Sequence, residues 1–264
     1  MKNKIVNQLK LVKLSIKYNI MKQMTNKVTF ITNIIFMILN DASFIIQWLI
    51  LFDIKEDFGG YTINNVLILW ALCATIYGIA HLFFEKAFTL SDLIVTGKLD
   101  SFLVQPKNVL ISVITSNSSI SAIGDILYGL IIILFCKISL IQFLLFAIFS
   151  ITGCLILTSF TTILSCLSFK FVKGDVIVDA LTGAIISFGT YPDTIFKKSV
   201  KLIFYTIIPV GIISYMPAHT IFNFNIWSFL ILIIITIFSV ILAFWIFNKG
   251  LRSYSSSNLM ESRS

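Results

Sequence analysis

The stretch WSFLILIIITIFSVILAFWIFN, Trp227 to Asn248, runs for twenty-two residues without one Asp, Glu, Lys or Arg. A helix needs about 20 apolar residues to cross about 30 Å of hydrocarbon. This segment meets that length, and the rest of the chain follows its composition. Of 264 residues, 58% are hydrophobic and 12% charged, with 25 Phe and a mean hydropathy of +0.97. A soluble globular domain is excluded, and the chain reads as an all-α integral membrane protein.

Further spans are expected at 28–52, 65–84, 118–136, 140–169 and 176–190, which with 227–248 make six and place both termini on one side. The basic residues agree. With the termini inside, fifteen of the twenty Lys and Arg fall on inner segments, so the bias orients both termini toward the cytoplasm. The net charge of +8 therefore serves orientation; no basic stripe interleaved with aromatics exists to bind nucleic acid.

Before the first span, Ile5, Leu9, Val12, Ile16 and Ile20 recur at intervals of three and four, with Lys2, Lys4, Lys10, Lys13, Lys17, Lys22 and Lys27 around them. That pattern predicts a basic amphipathic helix over 1–27 lying on the membrane surface. Its recurring lysines do not fit a cleavable signal peptide.

Two regions resist simple spans. Residues 109–136 would form a helix of about 42 Å, too long for a bilayer, and TSNSS at Thr115–Ser119 interrupts it. We read 98–116 as interfacial. Between Thr190 and Phe224, Pro192, Pro209 and Pro217 break apolar runs around Lys197, Lys198 and Lys201. That composition predicts a broken hairpin that dips in from outside and returns.

Chemistry-bearing motifs are scarce. There is no GxxxxGK[ST] for a nucleotide and no HExxH for a metal. His81 and Glu85 stand four apart at a membrane edge, and His219 with Asn223 lacks the partners an intramembrane protease would need. Cys73, Cys136, Cys154 and Cys166 form no CxxC pair and read as small apolar core residues. Cys154, Thr158, Thr161, Ser165 and Ser168 make a small-residue face suited to close helix packing, and Ala180, Ala184 and Ser187 repeat it. Carboxylates inside spans are costly and mark functional candidates. Asp41, beside Asn40, is the stronger cavity candidate; Asp125 and Asp179 fit equally a hydrogen-bonded carboxyl near a helix end.

One polar loop remains, TGKLDSFLVQPKN from Thr96 to Asn108. Helix-start residues at Thr89–Asp92, Ser91 among them, a break at Gly97, charges at Lys98 and Asp100 and a stop at Pro106 describe a compact docking element rather than a reaction site.

In this loop the chain resembles the permease subunits of type-two ABC transporters, in the exporter subfamily that carries G-x-L-D-x-x-L-x-x-P. Here the pattern is Gly97, Leu99, Asp100, Leu103 and Pro106. Tyr191-Pro192, Ile195-Phe196, IIPVGIISYMPA at 207–218 (with Pro209, Tyr215 and Pro217) and GLRSYSS at 250–256 are similar to further elements of that family. Gln105 departs from it, standing where an arginine is expected, and this puts in doubt an ionic contact with the ATPase there.

The resemblance implies one permease domain over 1–264. Its parts would be a surface helix (1–27), spans one and two (28–84), a cytoplasmic coupling segment (85–117), spans three to five (118–190), a re-entrant hairpin (191–226), span six (227–248) and a cytoplasmic tail (249–264). It implies ATPase coupling through Ser91, Asp92, Gly97, Leu99, Asp100, Leu103 and Pro106, and no cofactor in this chain, ATP and Mg being held by partner ABC ATPase subunits. It also implies a second permease copy, identical or paralogous, in the lipid of a bacterial plasma membrane. Asn40, Asp41 and Asp125 are the candidate path for an amphipathic or hydrophobic cargo. A stand-alone carrier, or an immunity or binding protein without an ATPase, stays open beside this reading.

Overall fold

The computed structural model describes residues 2–55, 58–171 and 174–254, with side chains described from Val6 onward. Of the residues read above, the side chains of Lys2, Lys4 and Ile5 lie outside it, as do Ser255, Ser256 and the rest of the expected tail from 255 to 264. The described residues form twelve α-helices: α1 (Lys2–Gln23), α2 (Lys27–Ile54), α3 (Ile63–Phe88), α4 (Leu90–Val95), α5 (Asp100–Leu103), α6 (Val109–Ile114), α7 (Ser121–Phe135), α8 (Leu140–Ser165), α9 (Gly174–Gly189), α10 (Lys198–Thr206), α11 (Met216–Phe222) and α12 (Ile226–Leu251).

Among the described residues, four helical stretches are long and apolar enough to cross a membrane: α2, α3 continued through α4, α8 continued through a 3-10 turn to Phe169, and α12. α7 is apolar but has only 15 residues, about 22 Å. α9 has 16 and carries exposed Asp175 and Asp179. α10 and the stretch Gly211–Phe222 meet at 87°.

Local chemistry sets the boundaries. Asn26, Asn108 and Asn225 each cap a helix by accepting a backbone N–H, and Ser139 with Gln142 forms a full capping box before α8. Thr115–Ser119 stays non-helical between α6 and α7, because Ser and Thr hydroxyls offer the backbone other partners. The helix expected from near Ser118 therefore opens at Ser121, as α7.

α3 is the axis of the bundle, with Val66, Leu69, Ala71, Leu72, Ile76 and Ala80 almost wholly buried. It packs on α7 and α8; α2 covers α7, and α12 covers α8. At Gly124 a Cβ would stand 2.7 Å from both the Ile34 carbonyl oxygen and Met37 Cβ, so the bare glycine lets α2 seat against α7. The small face of α8 is a packing seam: Cys154, Thr158, Thr161, Ser165 and Ser168 are all buried, and Ser168 Oγ donates to Ser91 Oγ at 3.0 Å. Of the matching residues on α9, Ala180 and Ser187 are exposed.

The side of α1 turned to the bundle is mixed: Leu11, Val12, Ile16 and Ile20 are half-buried beside a polar stripe. Gln8, Ser15, Asn19 and Gln23 share one side of the helix at spacings of seven, four and four. Ser15 Oγ donates to the Thr115 carbonyl at 2.8 Å and Asn19 Nδ2 to the same oxygen at 3.4 Å. Gln23 donates to the Ser118 carbonyl, and Gln8 Oε1 accepts from Asn108 N at 3.0 Å. The non-helical TSNSS segment is the socket for Ser15, Asn19 and Gln23, and the start of α6 is the socket for Gln8.

Candidate functional site

Three places in the bundle hold most of the residues singled out in the sequence. The first closes the end of the bundle reached by the last turns of α3 and α12. Gly97, with φ of +73°, takes the left-handed conformation that ends α4, and Leu99 N donates back to the Leu93 carbonyl at 3.2 Å. That turn drives Leu99 inward. It is 0% exposed, in a cluster with Leu90, Leu93, Leu110, Phe169 and Phe247. Ser91 is buried behind it.

Four residues on, Leu103 is 40% exposed and Val104 84%, and Pro106 is exposed beside them. Asp92 is exposed too, with Lys98 3.7 Å away, a surface pair of little energetic weight. Asp100 faces Tyr254 beyond α12; burial first, and then the Asp100 carboxylate, push that phenol up to about 12. Gly250 lies so close against Phe169 that a Cβ would clash with the ring. The loop motif and the tail motif thus meet at one apolar knot, and it is the turn at Gly97 that separates a buried Leu99 from an exposed Leu103.

The second cluster is a cavity of about 420 Å³ between α2, α3, α7 and α9. Asn40 and Asp41 reach it from α2 and Asp125 from α7, and the carboxyl groups of Asp41 and Asp125 lie beside each other. Asp41 is 5% exposed and Asp125 6%. The walls are aromatic: Phe44 stacks on Trp70 at 4.7 Å, and Trp48 meets Tyr191 edge-on at 5.8 Å. Asp41 and Asp125 could be singled out as charges in apolar runs. Their meeting, and the parts of Trp48 and Trp70, could not, since periodicity does not say which helices are neighbours.

The third cluster ties together the other end of α3. Tyr61 Oη donates to Asp193 Oδ1 at 2.8 Å, His219 Nε2 lies 3.1 Å from the same oxygen, and Lys201 Nζ donates to Asp193 Oδ2 at 2.7 Å. Burial alone would raise the Asp193 pKa, but hydrogen bonds from His219, Lys201 and Tyr61 outweigh it and hold the carboxyl far below the usual range. Burial and the Asp193 charge push the Tyr61 phenol upward, so it remains a donor. Around this clamp, Pro192 is buried next to Asp193, and the Pro209 carbonyl accepts from Ile213 N at 2.9 Å as the π-helical turn begins. Tyr215, 0% exposed, donates to the Phe188 carbonyl at 2.6 Å, and Pro217 sits in the first turn of α11, where no amide hydrogen is needed.

A polytopic helical bundle with an aromatic cavity at its centre and an anchored loop at one end has the parts of a membrane transport component. Comparison with known proteins agrees. A family model described as ABC-2 family transporter protein matches residues 37–258. No curated protein and no solved structure matches the chain. With the match running from α2 through α12 and into the tail, the chain belongs to the ABC-2 transporter family, a membrane component of ABC transporters whose permeases generally work with ABC ATPase partners.

Proposed function

We propose that this chain is the permease subunit of an ABC exporter, acting as one of two permease copies on two ATPase subunits that bind ATP and Mg. The membrane is the bacterial plasma membrane, crossed six times, with α7 and α9 as the two short spans and both termini cytoplasmic. The basic helix α1 lies along the inner surface, and α10 with α11 forms a re-entrant hairpin at the outer one. Nucleotide binding closes the ATPases, and the segment Ser91–Asn108 carries that motion into the helices. The cavity between α2, α3, α7 and α9 then alternates between the two sides of the membrane.

One observation carries the reading. An exposed tip with apolar Leu103, Val104 and Pro106 is mounted on a knot that holds the ends of α3, α8 and α12 in one core. A tip with no catalytic group of its own, fixed to several spans at once, suits the transfer of force from a partner. Gentle purification of the tagged protein followed by mass spectrometry tests it. A stoichiometric P-loop ATPase that is lost on Leu103→Glu supports the assignment. A homogeneous preparation without one, from cells expressing a neighbouring ABC ATPase, removes it.

A further inference from the structure

The carboxyls of Asp41 and Asp125 share a cavity, and no Lys, Arg or His is among the described residues lining it. Asp41 is 5% exposed, and its buried Oδ2 accepts from no described N–H or hydroxyl; Asn40 and the Asp125 carboxyl are the side chains beside it. An orphaned buried acceptor is destabilising, and more so when charged, so such a group in a native site calls for an explanation.

The rest of the cavity states what would relieve it. Its surface is mostly apolar and aromatic, with the stacked Phe44–Trp70 pair on one side and Trp48 on the other. Aromatic faces attract organic cations, and buried carboxylates accept charge-assisted hydrogen bonds from N–H donors. The volume of about 420 Å³ lies in the range of small-molecule sites.

We propose that this cavity binds an organic cation, a protonated amine or amidine on an apolar or aromatic body, with its N–H groups on Asp41 and Asp125 and its body against Phe44, Trp48 and Trp70. The proposal rests on the cavity being the transport path and names the class of cargo that path selects. The acceptors are carboxyl side chains on different helices, α2 and α7, which pack closely at Gly124. A cation that bridges the pair would therefore stabilise the α2–α7 contact as it binds.

The test uses the purified full-length protein in nonionic detergent and two dyes of the same tricyclic shape: 9-aminoacridine, a cation at neutral pH, and acridine, which is neutral there. Binding is read from quenching of tryptophan fluorescence, with empty micelles subtracted. The expected result is saturable binding of 9-aminoacridine, acridine weaker by about tenfold or more, and a loss of about tenfold or more for the cation alone in Asp41→Asn and Asp125→Asn. Asp41→Glu and Asp125→Glu, which keep the charge, retain most of the preference.

Equal binding of the two dyes by the unmodified protein overturns the proposal even if the Asn variants do not fold. So does unchanged cation binding in folded Asn variants. Because no ATPase takes part, the two readings fail separately. Charge-selective binding by a protein with no ATPase partner keeps the cation site and removes the transport reading; ATPase-coupled transport with no charge selectivity does the reverse.

Discussion

Tyr61 and Asp193, 132 positions apart in sequence, are joined by a 2.8 Å hydrogen bond that fixes the turn before α3 to the segment after α9. Lys201 and His219 complete the same knot from α10 and α11. One carboxylate thus holds four segments at one end of the bundle.

Asp193→Asn should lower stability by about 1 to 3 kcal/mol at neutral pH, a range that allows for the partial exposure of Lys201 and His219. The folded pKa of Asp193 is depressed. Its contribution is therefore complete above the unfolded value of about 4 and is lost as pH falls through the folded value. Thermal unfolding in detergent should show a gap between the two proteins that is flat from neutral pH down to about 5. The gap should close only in stronger acid; one that closes near neutral pH would contradict the clamp.

Leu99 and Leu103 should part company. Leu99→Glu places a charge in the cluster with Phe169 and Phe247 and should cost about 3 to 5 kcal/mol, seen as lost yield and a lower unfolding temperature. Leu103→Glu, on the exposed side, should leave both unchanged within about 0.5 kcal/mol while reducing ATPase co-purification. Equal destabilisation by the two variants would mean that the loop is not built this way.

Gly124→Val tests the α2–α7 contact. The added side chain meets the Ile34 backbone oxygen, which cannot turn aside as a side chain can. The expectation is a loss of about 1 to 3 kcal/mol, with weaker cross-linking between cysteines placed at Met37 and Ile123 than in a Gly124 background. Undiminished cross-linking would show that the helices tolerate the wider spacing.

The polar stripe of α1 should matter more than its apolar face for docking to the bundle. Replacing Ser15 and Asn19 by Leu removes two hydrogen bonds to Thr115, each worth about 1 kcal/mol net. Limited proteolysis should then cleave between α1 and α2 faster, whereas Leu9→Ala should leave the rate unchanged. The opposite ranking would assign the docking to the apolar residues.

Sequence alone determined the parts that rest on composition and local order. Long uncharged apolar runs such as Trp227–Asn248 can satisfy their backbone only as helices in lipid, and the Pro and Gly punctuation at Gly97, Pro106, Pro209 and Pro217 is local stereochemistry. Asp41 and Asp125 stood out because charge inside such runs is rare. Tertiary structure decided which residues meet. The apolar period is shared by lipid-facing and core-facing positions when both surroundings are oily, so it could not sort Leu99 from Leu103 or find the polar stripe of α1. Nor could it place Asp41 beside Asp125, or Tyr61, Lys201 and His219 around Asp193. Those pairings depend on close approach between helices far apart in the chain, set by the volume of residues such as Gly124 and by burial of polar groups that must find partners.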